Sequence, residues 1–259
     1  MHYSPSLALA TAAFEVIIAL WAMSHLYRLA QEDKASSAQG AHREDTASSL
    51  RDRPVLRTTA SMLWLLAGYQ LAEVAICAHT GVAGFLPRLA FLIVTWLPPL
   101  GLLLIAQIHR PRARALYLPA HLFFAASTGI TAWILLDPGF AVASVCNAVF
   151  AHYSHAMPRF LAYGAFYWAG LLGMLILSTL SYRRCADAAR RRMTLHVGAG
   201  TAAFVIPSLL VTQFVPPARG ALPSIMCHFA LLFAISLARM LRLEARTSRS
   251  PVRRAAHGT

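Results

Sequence analysis

The sequence predicts an all-α membrane protein, a bundle of seven transmembrane helices with the N-terminus outside and the C-terminus in the cytoplasm. Of its 259 residues, 58% are hydrophobic and only 13% are charged, and the mean hydropathy is +0.55. A soluble domain carries roughly 25% charged residues, so this composition excludes a water-soluble domain with an ordinary surface, and it also excludes disorder. The lipid bilayer is therefore the expected solvent.

Seven apolar stretches are long enough to cross a hydrocarbon core of about 30 Å, which takes about 20 residues in a helix. Their only acidic residues are Glu15 and Glu73. In chain order, the stretches are 7–29, 60–79, 89–108, 116–136, 160–180, 195–215 and 221–240. Together they predict a transmembrane domain over residues 1–240, followed by a basic cytoplasmic tail over 241–259.

The basic residues fall in alternate gaps between these stretches. Twenty of the 23 lie in the first, third and fifth gaps, in the tail or, as Arg28 and Arg239 do, at the adjoining ends of the stretches, and the other three are Arg88, Arg159 and Arg219. The positive-inside rule places the 20-residue side in the cytoplasm of a cell with a bacterial-type inner membrane. The formal net charge of +13 thus follows membrane topology, so we expect no nucleic-acid partner, and we expect the tail to contact anionic lipid headgroups.

Two connections differ in composition. Residues 31–57 are polar and mixed in charge without apolar periodicity, which predicts a mobile cytoplasmic loop. Residues 137–158 begin with the turn signal Asp-Pro-Gly but are otherwise apolar. An outer loop of this kind is expected to form an interfacial helix or to dip back as a re-entrant segment that covers the outer mouth of the bundle. Packing alone is an equally good explanation.

Glu15 and Glu73 are the first candidates for a functional site, because an acid in a membrane helix costs at least ~2.5 kcal/mol on insertion scales. At a rise of about 1.5 Å per residue, they lie roughly 12 Å and 9 Å below the outer ends of their helices. Gln70, Glu73 and Cys77 follow the helical spacing i, i+3, i+7 and form one polar stripe. We therefore expect the two acids to face one outer cavity and to share a proton or a cation.

Other reactive groups are predicted at the same depth in the seventh helix. The predicted ligand or ion site contains Glu15, Gln70, Glu73, Cys77, Ser224, Cys227 and His228. For a divalent metal, the candidate ligands are Glu15, Glu73, His152, His155 and His228, since carboxylate and imidazole both bind such ions. His152 and His155 are three residues apart and would chelate a metal only within a helix. An ordinary interfacial or packing role is the alternative for each histidine and cysteine.

The cysteines and the remaining histidines suggest structural roles. Cys77 and Cys146 both belong to the oxidising side, which predicts a disulfide between them, with Cys227 as a competing partner. The histidines at cytoplasmic depth are typical interface anchors, and this favours no haem: His25, His109, His121 and His196. Lys34 is the only lysine and lies in a loop, so the chain lacks the Schiff-base lysine of a retinal protein.

Three short segments form a recognisable set. They are Gly68 to Glu73 (GYQLAE), Trp96 to Leu104 (WLPPLGLLL) with a basic turn after it, and Pro223 to Ala230 (PSIMCHFA). Together they resemble a bacterial family of seven-helix membrane proteins of unknown function. The resemblance implies that Glu15, Gln70, Glu73 and Cys227 belong to one shared feature. It implies no activity.

The sequence leaves three classes of function open. The motifs of phosphate-loop, zincin, hydrolase and thioredoxin-type enzymes are absent from the sequence. The first hypothesis is a protein that binds or moves a proton or metal cation at the acidic site. The alternatives are a sensor or interaction protein with an outer ligand pocket, and an intramembrane enzyme that modifies lipids through Glu and His.

Overall fold

The computed structural model describes residues 6–38, 54–78, 85–109, 114–141, 143–146, 151–154, 157–215 and 222–256. These residues form a helical bundle with one small β-hairpin. In chain order, the elements are α1 Ser6–Ala38, α2 Pro54–Ala78, α3 Phe85–Thr95, α4 Leu97–Ile108, α5 Arg114–Leu136, β1 Ala143–Cys146, β2 Ala151–Ser154, α6 Met157–Arg184, α7 Ala188–Phe214 and α8 Leu222–Ala256.

Within the described ranges, six helical stretches are long and apolar enough to cross a membrane: α2, the unit formed by α3 and α4, and α5 to α8. Helix α1 contains a shorter apolar stretch, Leu9–His25. Large apolar side chains also cover the outside of the bundle, for example Leu136 and Leu161, which are 82% and 74% exposed. An apolar surface of this extent is unfavourable in water, so the structure confirms the prediction of a helical membrane bundle.

Helix α2 lies at the centre of the bundle and packs against α1, α3, α4 and α8. Helix α7 packs against α6 on one side and against α8 on the other, while α5 lies against α3 and α4. The close approach of α4 and α6 depends on Gly101 and Gly170. A Cβ atom at Gly170 would lie 2.4 Å from the Cβ of Pro98, so only glycine fits at this crossing.

Pro98 and Pro99 divide the third predicted stretch into α3 and α4. Proline has no backbone N–H, so these two residues cannot bond to the carbonyls of Val94 and Thr95 one turn earlier. The Ser127 hydroxyl of α5 donates to the Thr95 carbonyl at 3.2 Å and satisfies one of them. The chain thus keeps one spanning unit with a break at Trp96.

Two helices extend beyond the predicted spans. Helix α1 continues to Ala38, inside the predicted mobile loop 31–57, and α8 continues to Ala256, inside the predicted tail. The helical parts of these segments are rich in Ala, Glu, Gln, Leu and Arg, which have high helix propensity even without an apolar face. Residues 39–53 of the predicted loop lie outside the described residues.

The helical interpretation of the outer loop 137–158 is wrong, because β1 and β2 pair there as an antiparallel hairpin, with Ala143 opposite Ser154 and Cys146 opposite Ala151. A hairpin satisfies its backbone hydrogen bonds between its own strands, as a helix would, and needs fewer residues. Before it, the Asp137 carboxylate accepts a hydrogen bond from the Gly139 N–H at 2.9 Å and forms an ion pair with Arg159 at 3.1 Å.

We name the two ends of the bundle by what they carry. The disulfide end contains the hairpin and the disulfide between Cys77 and Cys146, and it includes the C-terminus of α2 and the N-termini of α6 and α8. The arginine end contains the C-terminus of α6 and the N-terminus of α7, with Arg183, Arg184 and 190–192. The predicted site residues lie in the half of the bundle nearer the disulfide end.

Candidate functional site

Glu15 is fully buried in the interior of the bundle, with 0% of its surface exposed. Thr11, Ala19 and Ala22 lie on the same face of α1 and are also buried, because small residues let α1 approach α2 and α8 closely. Neither carboxyl oxygen of Glu15 has a hydrogen-bond partner among the described residues. The Glu15 carboxyl group therefore lies in the interior without a hydrogen bond to any described residue.

Glu73 is equally buried but is held by a hydrogen bond between two helices. The Ser224 hydroxyl of α8 donates to Oε1 of Glu73 on α2. Both residues are 0% exposed, so this contact lies in the interior. The bond joins α2 to α8 at the depth that the sequence predicts for the site.

Gln70 lies one turn below Glu73 on α2, and its side-chain amide donates to the backbone carbonyl of Cys227. The Tyr69 side chain also hydrogen-bonds to the Cys227 side chain. The Cys227 thiol is buried and lies within Coulombic range of both Glu73 and Glu15. Three helices, α1, α2 and α8, therefore meet at Cys227 and bring most of the predicted site residues together.

The two acids are not hydrogen-bonded to each other, because Glu15 has no such partner in the described part of the chain. They lie on helices that pack directly, and neither faces the outside of the bundle. The prediction that they share one proton or cation stays a prediction. What the structure adds is an asymmetry, since Glu73 has an identified hydroxyl partner and Glu15 has none.

His228 belongs to the same helical turn as Ser224 but is held by its own helix. Its Nδ1 lies 2.8 Å from the Ser224 carbonyl oxygen. A carbonyl only accepts, so Nδ1 carries the proton and Nε2 is the basic nitrogen. The imidazole is partly buried rather than enclosed in the acidic site.

Cys77 and Cys146, for which the sequence predicts a disulfide, are joined by one, with their Cα atoms 5.7 Å apart. The bond fastens β1 to α2, and the competing pairing with Cys227 is not formed, because Cys227 is not part of a disulfide. The inclusion of Cys77 in the ligand site is wrong, since a sulfur in a disulfide is no longer a thiolate ligand. Its place on the polar stripe reflects this structural role.

The structure describes only some of the ligands of the predicted metal site. Among the described residues, no group of three or more His, Cys, Asp and Glu side chains could hold a metal ion. His152 lies in strand β2 and not in a helix, so the helix on which the chelate with His155 depended is not formed at His152. His155 itself lies outside the described residues.

The histidines predicted near the cytoplasm each have a different partner. His109 Nε2 lies 2.9 Å from the Thr194 hydroxyl, and the ring of His25 packs edge-on against Trp21. The ring of His121 lies beside Tyr117. The backbone carbonyl of His196 accepts a hydrogen bond from Ser236 at 2.7 Å.

A cavity of about 60 Å³ lies beside the acidic site. Tyr69, Gln70 and Cys227 line its polar part, and the aromatic rings of α6 line much of the rest, chiefly Tyr163 and Tyr167. Tyr163 and Tyr167 are stacked at 6.1 Å. A signal for this cavity was present in the sequence as an i, i+4 pair of tyrosines, but this pattern is also typical of packing residues at the membrane interface.

No protein-family model matches the chain, and no curated protein is found to be similar to it. The fold and the site therefore define a class of protein, namely a helical membrane bundle with two buried acidic residues. The resemblance drawn from the three short segments remains an expectation.

Proposed function

We propose that this chain is a bacterial inner-membrane protein of seven spans that binds a proton at an acidic site between α1, α2 and α8. Helix α1 supplies the seventh span through Leu9–His25. The distribution of basic residues supports an orientation with the disulfide end outside the cell and the arginine end in the cytoplasm. Protons would then reach the site from the outer side.

The observation that carries the proposal is the environment of Glu15. Its carboxyl group is fully buried, and neither oxygen has a hydrogen-bond partner in the described residues. An ionised carboxylate without a partner is very costly in an apolar interior, whereas the neutral acid is tolerated. Release of the proton would therefore require water or a polar partner to reach Glu15, and this coupling is what a proton-handling site needs.

Glu73 and Ser224 form the neighbouring part of the proposed proton site. A hydroxyl can donate to one group while accepting from another, so Ser224 is suited to pass a proton to or from the Glu73 carboxyl. The absence of a metal-binding cluster in the described ranges favours the proton over the metal cation. The enzyme alternative has less support, since His228 Nδ1 is engaged by the carbonyl of Ser224.

Infrared spectroscopy tests proton binding directly. A protonated carboxyl without a hydrogen bond absorbs at higher frequency than a hydrogen-bonded one, so Glu15 should give a separate carbonyl band that shifts in D₂O. Glu15→Gln should remove this band, and Glu73→Gln, the matched control, should leave it. A wild-type spectrum without the band, or a band that persists in Glu15→Gln, would contradict the proposal.

Proton movement is tested in liposomes that contain a pH-sensitive dye. A potassium gradient with valinomycin should drive acidification by the wild-type protein, and Glu15→Gln and Glu73→Gln should each abolish it. Cys185→Ser, at the arginine end, should leave the rate unchanged. Flux that is equal in the two Glu variants and the wild type would show that these acids do not carry protons.

Topology is tested separately with reporter fusions. Fusions after Lys34, Arg112, Arg190 and Arg254 should all report the cytoplasm, because these residues lie on the side with 20 of the 23 basic residues. A periplasmic signal at any one of them would rule out the seven-span arrangement.

A ligand sensor is the second candidate function, and the cavity lined by Tyr163 and Gln70 favours it. In that case the proton site would report ligand binding instead of moving protons. Absence of flux in liposomes, together with an intact Glu15 infrared band, would favour this second candidate.

A further inference from the structure

The cavity next to the acidic site lies in a wedge between α6 and α8. Helix α6 packs on α4 and α7, and α8 packs on α7, α1 and α2, so α7 holds the two helices apart. The lining residues Phe160, Gly164 and Trp168 of α6 are only partly buried. The wedge is therefore open to the side, toward the lipid.

The chemistry of the walls restricts what can enter. None of the residues that line the cavity in the described structure is Asp, Glu, Lys, Arg or His. A charged ligand would lose its hydration there without gaining a counter-charge, so the occupant must be neutral. Aromatic rings and side chains such as Leu66, Phe204 and Met226 form most of the surface, which favours an apolar body.

Gln70 supplies the polar specificity. Its residue is 1% exposed, its amide N–H donates to the Cys227 carbonyl, and its Oε1 has no hydrogen-bond partner among the described residues. Because a carbonyl only accepts, the Cys227 contact identifies which end of the amide is nitrogen. Oε1 is thus a buried acceptor that requires a donor, and a buried acceptor without one is costly.

Size decides how much of the ligand enters. The cavity measures about 60 Å³, whereas an enclosed apolar cavity that accepts benzene measures about 150 Å³. Only the end of a ligand can enter, and the rest must lie along the wedge between α6 and α8 among the lipid chains.

We propose that this cavity binds the hydroxyl end of a neutral long-chain alcohol, with Gln70 Oε1 accepting the hydrogen bond from its O–H. The chain of the alcohol lies in the wedge against α6 and α8. This site adds a lipid-like ligand to the proposed proton site and does not depend on the protonation of Glu15.

The test uses radiolabelled farnesol and the purified protein in nanodiscs. Farnesol should bind saturably, and farnesene, a hydrocarbon of similar length without the hydroxyl, should compete about tenfold more weakly, as expected for one hydrogen bond to a buried acceptor. Gln70→Leu should weaken farnesol by the same factor and make the two compounds equal. Equal competition in the wild type, or no saturable binding, would overturn the proposal.

A second pair of variants guards against misfolding. A Cβ atom at Gly164 meets no atom within 4 Å, and the same holds at Gly129 on α5, which is exposed and outside the cavity lining. Gly164→Leu should occupy the wedge and reduce farnesol binding at least tenfold, while Gly129→Leu should leave it unchanged. Farnesol binding that survives Gly164→Leu would overturn the assignment of this cavity. The Glu15 infrared band should persist in Gly164→Leu, which separates failure here from failure of the proton site.

Discussion

At the arginine end, several buried or half-buried polar side chains form hydrogen bonds between helices, whereas in the half of the bundle nearer the disulfide end two carboxyl groups are fully buried. The Thr58 hydroxyl donates to Gln107 at 2.9 Å, and His109 contacts Thr194 at the same distance. These bonds connect α2 to α4 and α4 to α7, so they have a structural explanation. Glu15 has no corresponding explanation, which is why we assign function to the disulfide end.

The two ends also differ in how their connections are held. At the arginine end, Asp187 begins α7 by accepting hydrogen bonds from the backbone N–H groups of Ala189 and Arg190. At the disulfide end, a covalent bond and the buried ring of Phe140, packed edge-on against Phe91 and Trp133, fasten the outer loop. The comparison predicts larger effects of substitution at the disulfide end.

The largest expected effect is loss of the disulfide. Cys77→Ser should lower the free energy of unfolding by about 4 kcal/mol, because the bond closes a loop with a sequence separation of 69 residues in the unfolded chain. Unfolding in mixed SDS micelles measures this, with Cys185→Ser as the matched control. An effect no larger than that of Cys185→Ser would mean that the disulfide end is held by packing alone.

The second-largest expected effect is an increase in the free energy of unfolding. Glu15→Leu, a change of similar volume, should raise the free energy of unfolding by about 3 kcal/mol, because it removes a buried acid without a hydrogen-bond partner. It should also abolish proton flux, as expected when a functional residue is costly to stability. Glu73→Leu should stabilise less, since it removes the acceptor of Ser224. Destabilisation by Glu15→Leu would indicate a structural role for this acid.

A smaller effect is expected at the start of α7. Asp187→Ala should cost about 1 kcal/mol because the backbone N–H groups of Ala189 and Arg190 lose their acceptor. Asp187→Asn keeps an acceptor oxygen and should cost clearly less. The same unfolding assay applies, and equal losses in the two variants would point to the ion pair with Arg190 instead of the cap.

The smallest effect is a pH dependence at the arginine end. Burial, and then the nearby Arg190, lower the pKa of His109 below its ordinary value of 6.5, while Asp187 acts in the opposite direction. A lowered pKa in the folded state means that the unfolded chain takes up the proton first, so stability falls as the pH drops below 6.5 and levels off below the folded-state pKa. In His109→Gln this contribution should disappear from the pH profile of unfolding. A pH profile of unfolding that is the same in His109→Gln and the wild type would contradict this assignment to His109.

The apolar helices and the acidic layer could be predicted because each depends on local physics, and the disulfide could be predicted because Cys77 and Cys146 both belong to the oxidising side. The cost of a polar group in a bilayer marks Glu15 and Glu73, and helical spacing places Gln70 on the same stripe as Glu73. The hairpin could not be predicted in this way. A short apolar run is compatible with either a helix or a strand, and pairing with a neighbouring strand decides between them.

The sequence by itself determined that this chain has several helices apolar enough to cross a membrane and that two acids lie within its apolar stretches. Only the tertiary structure decided that Ser224 is a partner of Glu73, that Glu15 has no hydrogen-bond partner in the described residues, and that Cys77 pairs with Cys146 and not with Cys227. The reason is that hydropathy and periodicity belong to one segment at a time. Hydrogen bonds and cavities between α1, α2, α6 and α8 depend on which faces of those helices meet, and that is a property of the packed bundle.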